Sequence, residues 1–434
     1  MNPRNPSREL AIVAGVRTPF CRAGGAMQGA FAADLATHVM RELLDRTKVR
    51  PQAIDEVVFG CAGPDPREAN IARLAALRAG LPQSTPAVTV MRNCGSGMEA
   101  VLAAEQKLKA GDGEVFLVGG TESMSNFPLL MGPQLVKFFT RLGKAKSMAQ
   151  KLATMASFRP GWLQPRIAVL EGLTDASIGA SMGDTAERIA RQFGISRGAM
   201  DTYALQSHRR AARAQQQHRL HDEIVPFVVP PKFQAAVTDD DGVRKEQTAE
   251  ALAKLRPVFD RREGDITVGN SCQMTDGAVA LLCMSLARCR ALDLEPLAIV
   301  RGSSTAALSP ATMGLGPVHA TPKALAMAGL RFDQLDLVEL NEAFAAQVLG
   351  CTAAFASDDY CRRELGLPGA IGEVDPERLN VNGGAIALGH PIAASGARLL
   401  LTLAHELRRR GARYGLATLC IGGGQGQAVV LEAA

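Results

Sequence analysis

Cys94 is the residue whose surroundings most strongly suggest covalent chemistry. It stands in the stretch VTVMRNCGSGM, where an apolar run ends and two glycines lead into a helical pattern. A thiol at the start of a helix faces the positive end of the helix dipole and free N–H groups, which lower its pKa and make it a better nucleophile. We also expect the flanking glycines to leave room for a substrate. The alternative is a small buried cysteine in a tight turn.

Four further residues stand at places suited to chemistry. His390 follows NVNGGAIALG, and Cys420 ends an apolar run that is followed by GGGQG. A base beside a thiol is the arrangement that nucleophilic catalysis requires, and a second thiol can move a proton. The glycines that begin with Gly422 expose N–H groups that can hold an oxyanion, and Asn341, in NEAF, can hold a water molecule or a carbonyl oxygen. GGGQG does not fit a dinucleotide site, because no GxGxxG opens a helix.

An internal repeat predicts how these residues come together. The run AIVAG near the start returns as AIVRG, IDEVVFG returns as LDLVELN, and the block 93–120 is matched by the block 389–424. Three pairs in the same order indicate a duplicated unit. If a pseudo-two-fold axis relates the two units, the turns that carry Cys94 and His390 face each other.

Alternating strand and helix patterns predict the fold class. Apolar runs such as VFLVGG and GLATLCIGGG alternate with helical stretches, which is typical of an α/β fold with parallel strands and crossover helices. Basic residues before Gly111 and Gly411 predict that helices end there. Residues 127–268 lack the alternation, so we expect an inserted, mostly helical and irregular domain.

Composition excludes several classes of protein. The 434 residues are 47% hydrophobic and 21% charged, which is typical of a globular chain, and a net charge of +5 is too small and diffuse to indicate nucleic-acid binding. Neither a secretory leader nor an apolar stretch of roughly 20 residues is visible, so we expect no secretion and no membrane span. The nine cysteines form no CxxC pair, which disfavours a metal site and suits the reducing cytoplasm.

Four motifs, in this order, resemble those of the thiolase family of acyl-CoA acyltransferases. NCGSGM is similar to the family's nucleophile block, NEAF stands unchanged, and GHPIAASGAR and CIGGGQG resemble its last two blocks. The resemblance covers essentially the whole chain. It implies two similar βαβ-rich halves in five layers, α-β-α-β-α, with an inserted loop domain. The implied domains are 1–126 with 269–292 for the first half, 127–268 for the insert and 293–434 for the second half.

The resemblance also implies the reaction. Cys94 would attack a 3-ketoacyl-CoA, release acetyl-CoA and pass the shortened acyl group to free CoA; in reverse, two acetyl-CoA molecules would condense. His390 would activate Cys94, and Cys420 would move the proton of the α-carbon or of the CoA thiol. One oxyanion site would use His390 and a water on Asn341, and the other would use the N–H groups of Cys94 and Gly422.

Contacts to CoA follow from the same resemblance. Leu173 and Met182 lie in stretches that resemble the family's CoA-facing loop, Arg244 aligns with a position near the nucleotide, and Phe344 would line the acyl channel with Met182. Cys272 stands where relatives usually offer a hydroxyl, which leaves the acyl chain length open. CoA would be a substrate, and no permanently bound cofactor is expected.

Residues 131–167 carry a local excess of positive charge. No Asp or Glu occurs from 125 to 170, whereas seven Lys and Arg do, and Leu135, Phe139 and Leu142 recur at helical spacing. This charge pattern resembles the thiolase branch that includes the β-subunit of the trifunctional enzyme. It predicts basic amphipathic helices. They would dock on a membrane or on an α-subunit of β-oxidation, or form a solvated face that attracts the phosphates of CoA. We further expect a homodimer or homotetramer.

Two other functions remain open at this point. A decarboxylating condensing enzyme of the ketoacyl synthase kind would share the fold and the nucleophile, but a second catalytic histidine would be expected in place of Asn341 or Cys420. A non-catalytic protein that binds acyl-CoA or lipid could also keep the fold. The presence of Cys94, His390 and Cys420 together favours the thiolase chemistry.

Overall fold

The computed structural model describes residues 5–234 and 236–434. Its strands are β1 (Leu10–Arg17), β2 (Cys21–Arg22), β3 (Glu56–Gly60), β4 (Ala87–Val90), β5 (Val115–Ser123), β6 (Leu129–Leu130), β7 (Arg166–Ile167), β8 (Thr174–Asp175), β9 (Ala180–Ser181), β10 (Phe227–Val228), β11 (Ala236–Val237), β12 (Thr275–Ser285), β13 (Ala298–Ala307), β14 (Leu337–Leu340), β15 (Tyr414–Ile421) and β16 (Gln425–Ala433). Its helices are α1 (Ala32–Thr47), α2 (Ile71–Arg78), α3 (Ser96–Ala110), α4 (Pro133–Lys144), α5 (Met148–Ala156), α6 (Ala168–Gly172), α7 (Met182–Phe193), α8 (Arg197–Gln216), α9 (Ala249–Ala253), α10 (Leu286–Ala291), α11 (Gly316–Ala328), α12 (Ala345–Phe355), α13 (Asp358–Leu365), α14 (Ala385–Leu388) and α15 (Ser395–Arg410).

The main sheet confirms the repeat. Its strand order is β14-β15-β16-β13-β1-β12-β5-β3-β4, so the first half runs β1-β12-β5-β3 and the second runs β13-β16-β15-β14 in the same internal order. The two halves are joined where β1 and β13 pair antiparallel, with Ala11 opposite Ile299. The matched sequence blocks therefore occupy matched places in the sheet.

The prediction of parallel strands holds for only part of the main sheet. Strand β3 is parallel to β4 and β5, and β14 is parallel to β15, but β12 is antiparallel to both β1 and β5, and β16 is antiparallel to β13 and β15. In the second half the antiparallel pairing of β15 with β16 has a local cause. Only Gly422–Gly424 separate the two strands, and so short a connection can only form a hairpin. In the first half, β12 follows the long insert and enters from the opposite end.

Helices and strands stack in the expected α-β-α-β-α order. Helices α3 and α15 pack against each other in the centre, and their apolar faces share one core with strands of both halves. Helices α1 and α2 cover the outer face of the first half, and α11 and α12 cover that of the second. The central helices end at Gly111 and Gly411 in the left-handed conformation, as their basic last turns predict.

The segment 127–268 combines α4 to α9 with three short strand pairs and irregular chain. A buried ion cluster fixes it to the first half: the Arg17 guanidinium donates to Asp240 at 2.6 and 2.8 Å and to Glu223 at 3.0 Å. Since an unpaired buried charge costs several kcal/mol, roughly 3–5, this cluster strongly restrains where the segment can lie.

The predicted apolar face of α4 is partly wrong. Leu135 is buried as expected, but the second inward residue is Phe138, whose ring packs against Phe158 and Trp162. Phe139, which was expected on the same face, is exposed. The aromatic cluster beneath the helix takes up Phe138 and turns Phe139 outward.

Candidate active site

Cys94 lies in the turn that connects β4 to α3. Asn93 has a left-handed backbone (φ 45°), and the Ser96 hydroxyl accepts from the Arg92 N–H at 2.9 Å and donates to the Asn93 carbonyl at 2.7 Å. These bonds hold the turn immediately before α3. Cys94 is only partly buried, so its thiol is accessible from the cavity described below.

The glycines beside Cys94 serve packing and not substrate access, which corrects the sequence-based expectation. A Cβ on Gly95 would lie 2.5 Å from atoms of Gln427 and Ile421, and one on Gly97 would lie 2.5 Å from the Ala393 carbonyl oxygen. The space next to each Cα is filled by the other half of the protein. The glycines therefore let the turn before α15 approach the turn that carries Cys94.

The pKa of Cys94 is also shifted opposite to the expectation. Burial raises it to about 11, although the N–H groups of Gly422 and of Cys94 itself act to lower it and the Glu122 carboxylate adds a smaller increase. Loss of hydration outweighs the favourable helix start. Cys94 is therefore a thiol at neutral pH, and any attack by its sulphur requires removal of the proton.

His390 precedes α15 in a buried turn. Its N–H donates to the Thr275 hydroxyl at 3.0 Å, its Nδ1 lies 2.5 Å from the Ser395 hydroxyl, and its Nε2 has no hydrogen-bond partner within the described chain. Burial, reinforced by the cationic Arg398, lowers its pKa to about 4. The imidazole is therefore neutral at pH 7, with one nitrogen fixed and the other available.

The NEAF stretch divides into two roles. Asn341 is fully buried, and neither its Oδ1 nor its Nδ2 has a partner in the described part of the chain. By contrast, the Glu342 carboxylate accepts from Tyr203, Ser207, Asn380 and the Ile386 N–H, at 2.6 to 3.1 Å. A buried amide without partners is costly unless a ligand or water binds it, whereas the Glu342 carboxylate is already satisfied by the protein.

Three other thiols lie close enough to Cys420 to influence its pKa. Burial raises the pKa of Cys420 well above its ordinary value, and the sulphurs of Cys94, Cys351 and Cys272 add to this. Burial likewise raises the pKa of Cys272 to about 12, and Cys94 is its next largest cause. Cys420 is therefore protonated at neutral pH and suited to donate a proton.

A cavity of about 540 Å³ borders Cys94. Gly422, Leu173 and Met182 also line it, as do apolar residues such as Met91, Phe127 and Val169. The volume is in the usual range for a small-molecule site. Three of the predicted CoA-binding or catalytic residues thus share one cavity with the nucleophile.

Other predicted contacts do not line this cavity. Arg244 is exposed, and its N–H donates to His208 Nδ1 at 3.2 Å. Phe344 is buried against Phe259 with ring centroids 6.0 Å apart, and the Cys272 N–H donates to Ala343 at 3.0 Å. Their roles toward CoA stay predictions.

Sequence reasoning missed two buried residues. Ser395 is the partner of His390 and stands five residues after it, a spacing that only the geometry of the turn makes meaningful. The Glu122 carboxylate accepts from the N–H groups of Ala62, Gly63 and Ala393, and so links loops on both sides of the cavity. Neither residue carries a recognisable local signal.

Across residues 5–234 and 236–434 there is no group of three or more metal-ligating His, Cys, Asp or Glu side chains. Within the same residues no helix has the length and apolar character to cross a membrane.

Known proteins match this chain along nearly its whole length. The family description "Thiolase, N-terminal domain" matches residues 10–287, and "Thiolase, C-terminal domain" matches residues 294–433. A 3-ketoacyl-CoA thiolase of Yersinia enterocolitica is 42% identical over 424 residues, which cover 98% of this chain and 96% of that protein.

Solved structures also match this chain along nearly its whole length. The acetyl-CoA acetyltransferase of Bacillus anthracis is 36% identical with a TM-score of 0.85, covering 98% of this chain and 99% of that one. The human mitochondrial 3-ketoacyl-CoA thiolase is 35% identical with a TM-score of 0.85, and the match covers 99% of this chain and 100% of that one. The structure of the same human protein in complex with CoA has a TM-score of 0.84. With the repeat, the five layers and the four motifs, these matches show that the chain belongs to the thiolase family.

Proposed function

We propose that this thiolase cleaves 3-ketoacyl-CoA esters through an acyl group on Cys94, and that it condenses acetyl-CoA in the reverse direction. One observation carries the proposal: the Cys94 thiol borders the 540 Å³ cavity at a point where the Gly422 N–H acts on its sulphur. A nucleophile and an oxyanion donor at one cavity are what acyl transfer needs.

The reaction can be written with its protons. The Cys94 sulphur attacks the C3 carbonyl while its proton passes to His390 Nε2. The C2–C3 bond then breaks, its electron pair leaves on C2 as the enolate of acetyl-CoA, and the Cys420 thiol protonates C2. The thiol of a second CoA attacks the acyl-Cys94 ester, and its proton passes to the Cys420 thiolate. The bond between Cys94 and the acyl carbon then breaks, the Cys94 sulphur takes back the proton held by His390, and the shortened acyl-CoA leaves.

Two oxyanion sites support these steps. We assign the N–H groups of Gly422 and Cys94 to the oxygen of the acyl-Cys94 ester, because both already act on the sulphur. We assign His390 Nε2 and a water on Asn341 to the enolate oxygen, because these buried polar atoms have no partner in the described chain. Each donor is typically worth about 2.7–4 kcal/mol of barrier.

We further propose that residues 127–268 form the domain that binds CoA, between a first half of 1–126 with 269–292 and a second half of 293–434. Leu173 and Met182 from this segment line the cavity, which supports the assignment. Arg244 is exposed, as a contact to the nucleotide end would require. No permanently bound cofactor enters the proposal, because CoA is a substrate.

The substrate class we propose includes acyl chains longer than acetyl. The cavity wall carries Phe127, Val169 and Ile392 in addition to the residues near the nucleophile, and these side chains suit a hydrocarbon tail. The Yersinia relative's name, 3-ketoacyl-CoA thiolase, points the same way.

Thiolysis by the purified protein tests the function. Loss of the 3-ketoacyl-CoA after addition of CoA is compared for acetoacetyl-CoA and a long-chain ester. We expect turnover of both, its loss in Cys94→Ala, and unchanged turnover in Cys361→Ala, a matched change on α13 away from the cavity. Turnover of acetoacetyl-CoA alone would contradict the substrate class, and no turnover with retained CoA-ester binding would favour a non-catalytic binding protein.

We propose that the protein is a homodimer that forms through β4, with a homotetramer as a dimer of such dimers. Strand β4 lies at the edge of the main sheet, and Leu77, Val88 and Met91 on or beside it are exposed. An edge strand with exposed apolar residues is a ready surface for pairing with another copy. Val88→Lys should shift the mass measured by light scattering to that of a monomer, and an unchanged mass would place the interface elsewhere.

We propose that residues 131–167 dock on an anionic lipid surface. Val136, Phe139 and Leu152 are exposed, and the surrounding Lys and Arg meet no acidic partner in the described chain except for the Arg166–Glu171 pair. Apolar side chains among unpaired cations are complementary to a negatively charged bilayer.

We also propose a cytoplasmic location, which the nine unpaired cysteines support.

Cosedimentation with vesicles tests the docking surface. Binding to phosphatidylserine vesicles and not to phosphatidylcholine vesicles is expected, and Phe139→Ser with Leu152→Ser should abolish it while thiolysis continues. Absence of binding to either vesicle would contradict the lipid proposal and leave docking of a β-oxidation α-subunit as the alternative.

A further inference from the structure

The wall of the Cys94 cavity continues onto the protein surface where the insert begins. Pro128 and Ala168 line the cavity. The residues next to them along the chain, Leu129 and Ile167, lie opposite each other in the antiparallel pair of β6 and β7. Both side chains are exposed, Leu129 by 66% and Ile167 by 44%. An apolar pair therefore stands in water directly beyond the cavity wall.

The two faces of this strand pair differ. Successive residues of a strand point to opposite faces, so Leu129 meets Ile167 on one face and Leu130 meets Arg166 on the other. The backbone of Phe127 is extended (φ −59°, ψ 134°), and residues two apart in an extended chain point to the same side. Phe127, which lines the cavity, therefore shares a side with Leu129. The apolar face of the strand pair continues the cavity wall.

Phe127 makes this part of the wall rigid. Its ring fills the space beside Gly63, where an added Cβ would lie 1.4 Å from a ring carbon. The side-chain amide of Asn126 donates to the carbonyl oxygens of Gln28 at 3.0 Å and Ala30 at 2.9 Å, which holds the backbone immediately before the ring. A close-packed and hydrogen-bonded wall is costly to widen. A larger substrate must therefore extend out of the cavity.

We propose that Leu129 and Ile167 extend the acyl site beyond the cavity and bind the far end of long acyl tails. This inference rests on the proposed function, because it concerns the tail of the same 3-ketoacyl-CoA. The cavity of about 540 Å³ has to hold the end of the CoA arm as well as the acyl group, so a long tail needs further apolar surface. A hydrocarbon tail that covers the exposed pair removes apolar surface from water, which favours binding. The short acyl group of acetoacetyl-CoA does not reach the pair.

Thiolysis of two esters in the absence of lipid tests this site. In Leu129→Ser with Ile167→Ser, KM for 3-ketohexadecanoyl-CoA should rise about tenfold with kcat nearly unchanged, because contacts to the tail are equal in the ground state and the transition state. Both constants for acetoacetyl-CoA should stay unchanged in this variant, which reports that the fold and the catalytic groups are intact. Leu292→Ser with Met327→Ser replaces two exposed apolar residues elsewhere and should change neither ester's constants.

Photo-crosslinking locates the tail without relying on turnover. Hexadecanoyl-CoA with a diazirine at the end of its tail, bound to Cys94→Ala, should label Leu129 or Ile167, as read by tandem mass spectrometry. An unchanged KM for the long ester, an equal loss with both esters, or label confined to other residues would overturn the inference. Failure of the proposed function is distinct, since it would appear as no wild-type turnover of acetoacetyl-CoA or as activity that survives Cys94→Ala.

Discussion

The Asn93 side-chain amide donates to the Gly422 carbonyl at 2.9 Å. This bond joins the turn that carries the nucleophile to the hairpin that follows Cys420. Gly422 therefore cannot move relative to Cys94 without losing it, and the N–H of the same glycine acts on the Cys94 sulphur. The proposed oxyanion site is thus held by a side chain outside the catalytic set.

Removing the hydrogen bond between Asn93 and Gly422 should affect the rate of thiolysis more strongly than the stability of the fold. Asn93→Ala is expected to lower kcat by about tenfold or more, because a displaced oxyanion donor loses part of its 10²–10³ effect. Asn93→Gly keeps the left-handed backbone (φ 45°) without strain and serves as the control for conformation. Equal kcat in wild type and Asn93→Gly, measured by thiolysis, would show that the bond has no catalytic role.

The protonation states of Cys94 and His390 predict how Cys94 reacts with iodoacetamide. Burial raises the Cys94 pKa to about 11 and lowers the His390 pKa to about 4, so thiol and imidazole are both neutral at pH 7. The alkylation rate should rise about tenfold per pH unit between pH 7 and 10, because the thiolate is the reactive form. A rate that is already constant near pH 7 would indicate a thiolate–imidazolium pair instead.

Glu342 should matter for stability and not for bond-making. Its carboxylate accepts four hydrogen bonds, two of them from Tyr203 and Ser207 on α8 of the insert. Glu342→Gln keeps the shape but replaces one accepting oxygen with a donor, and we expect a loss of about 2–3 kcal/mol in the free energy of unfolding. Urea denaturation measures it, and a change below about 0.5 kcal/mol, the size of an ordinary surface substitution, would contradict the role.

The close approach of the two halves predicts the effect of a single methyl group. In Gly97→Ala the new Cβ would meet the Ala393 carbonyl oxygen at 2.5 Å, so the turns of Cys94 and His390 must separate. We expect a loss of about 1–3 kcal/mol and a fall in kcat. Gly143→Ala is the matched control: its Cβ meets nothing within 4 Å, so α4 should gain a fraction of 1 kcal/mol. Similar behaviour of the two variants in denaturation and thiolysis would disprove the close packing.

Protonation of His208 should make part of the free energy of unfolding depend on pH. Burial and the nearby Arg244 lower its pKa to about 4, and its Nδ1 accepts from the Arg244 N–H. The unfolded chain binds this proton near pH 6.5 and the folded chain only near pH 4, so stability falls as the pH drops through that window. From pH 7 to pH 5 the wild type should lose about 2 kcal/mol more than His208→Asn in urea denaturation. Equal losses would place the His208 pKa near its ordinary value.

Local sequence patterns were sufficient to predict the repeat and the glycine ends of α3 and α15. Each of these depends on a few neighbouring residues. The antiparallel course of β12 was not predictable in the same way, because it depends on where the chain re-enters the sheet after the insert.

The site was harder to predict because its physical properties come from distant segments. The helix start suggested a low pKa for Cys94, but burial by the second half reverses the shift. The sequence stretch NEAF offers no sign that Glu342 is satisfied by α8 while Asn341 is left without partners. Ser395 became visible only when the turn placed its hydroxyl against His390.

Trapping of the acyl group shows directly whether Cys94 is the nucleophile. The protein is incubated with a 3-ketoacyl-CoA in the absence of free CoA, digested, and analysed by mass spectrometry. We expect release of one equivalent of acetyl-CoA and an acyl adduct, shorter by two carbons, on the peptide that contains Cys94. Turnover without any adduct on Cys94, or an adduct on Cys420 or Cys272 instead, would contradict it.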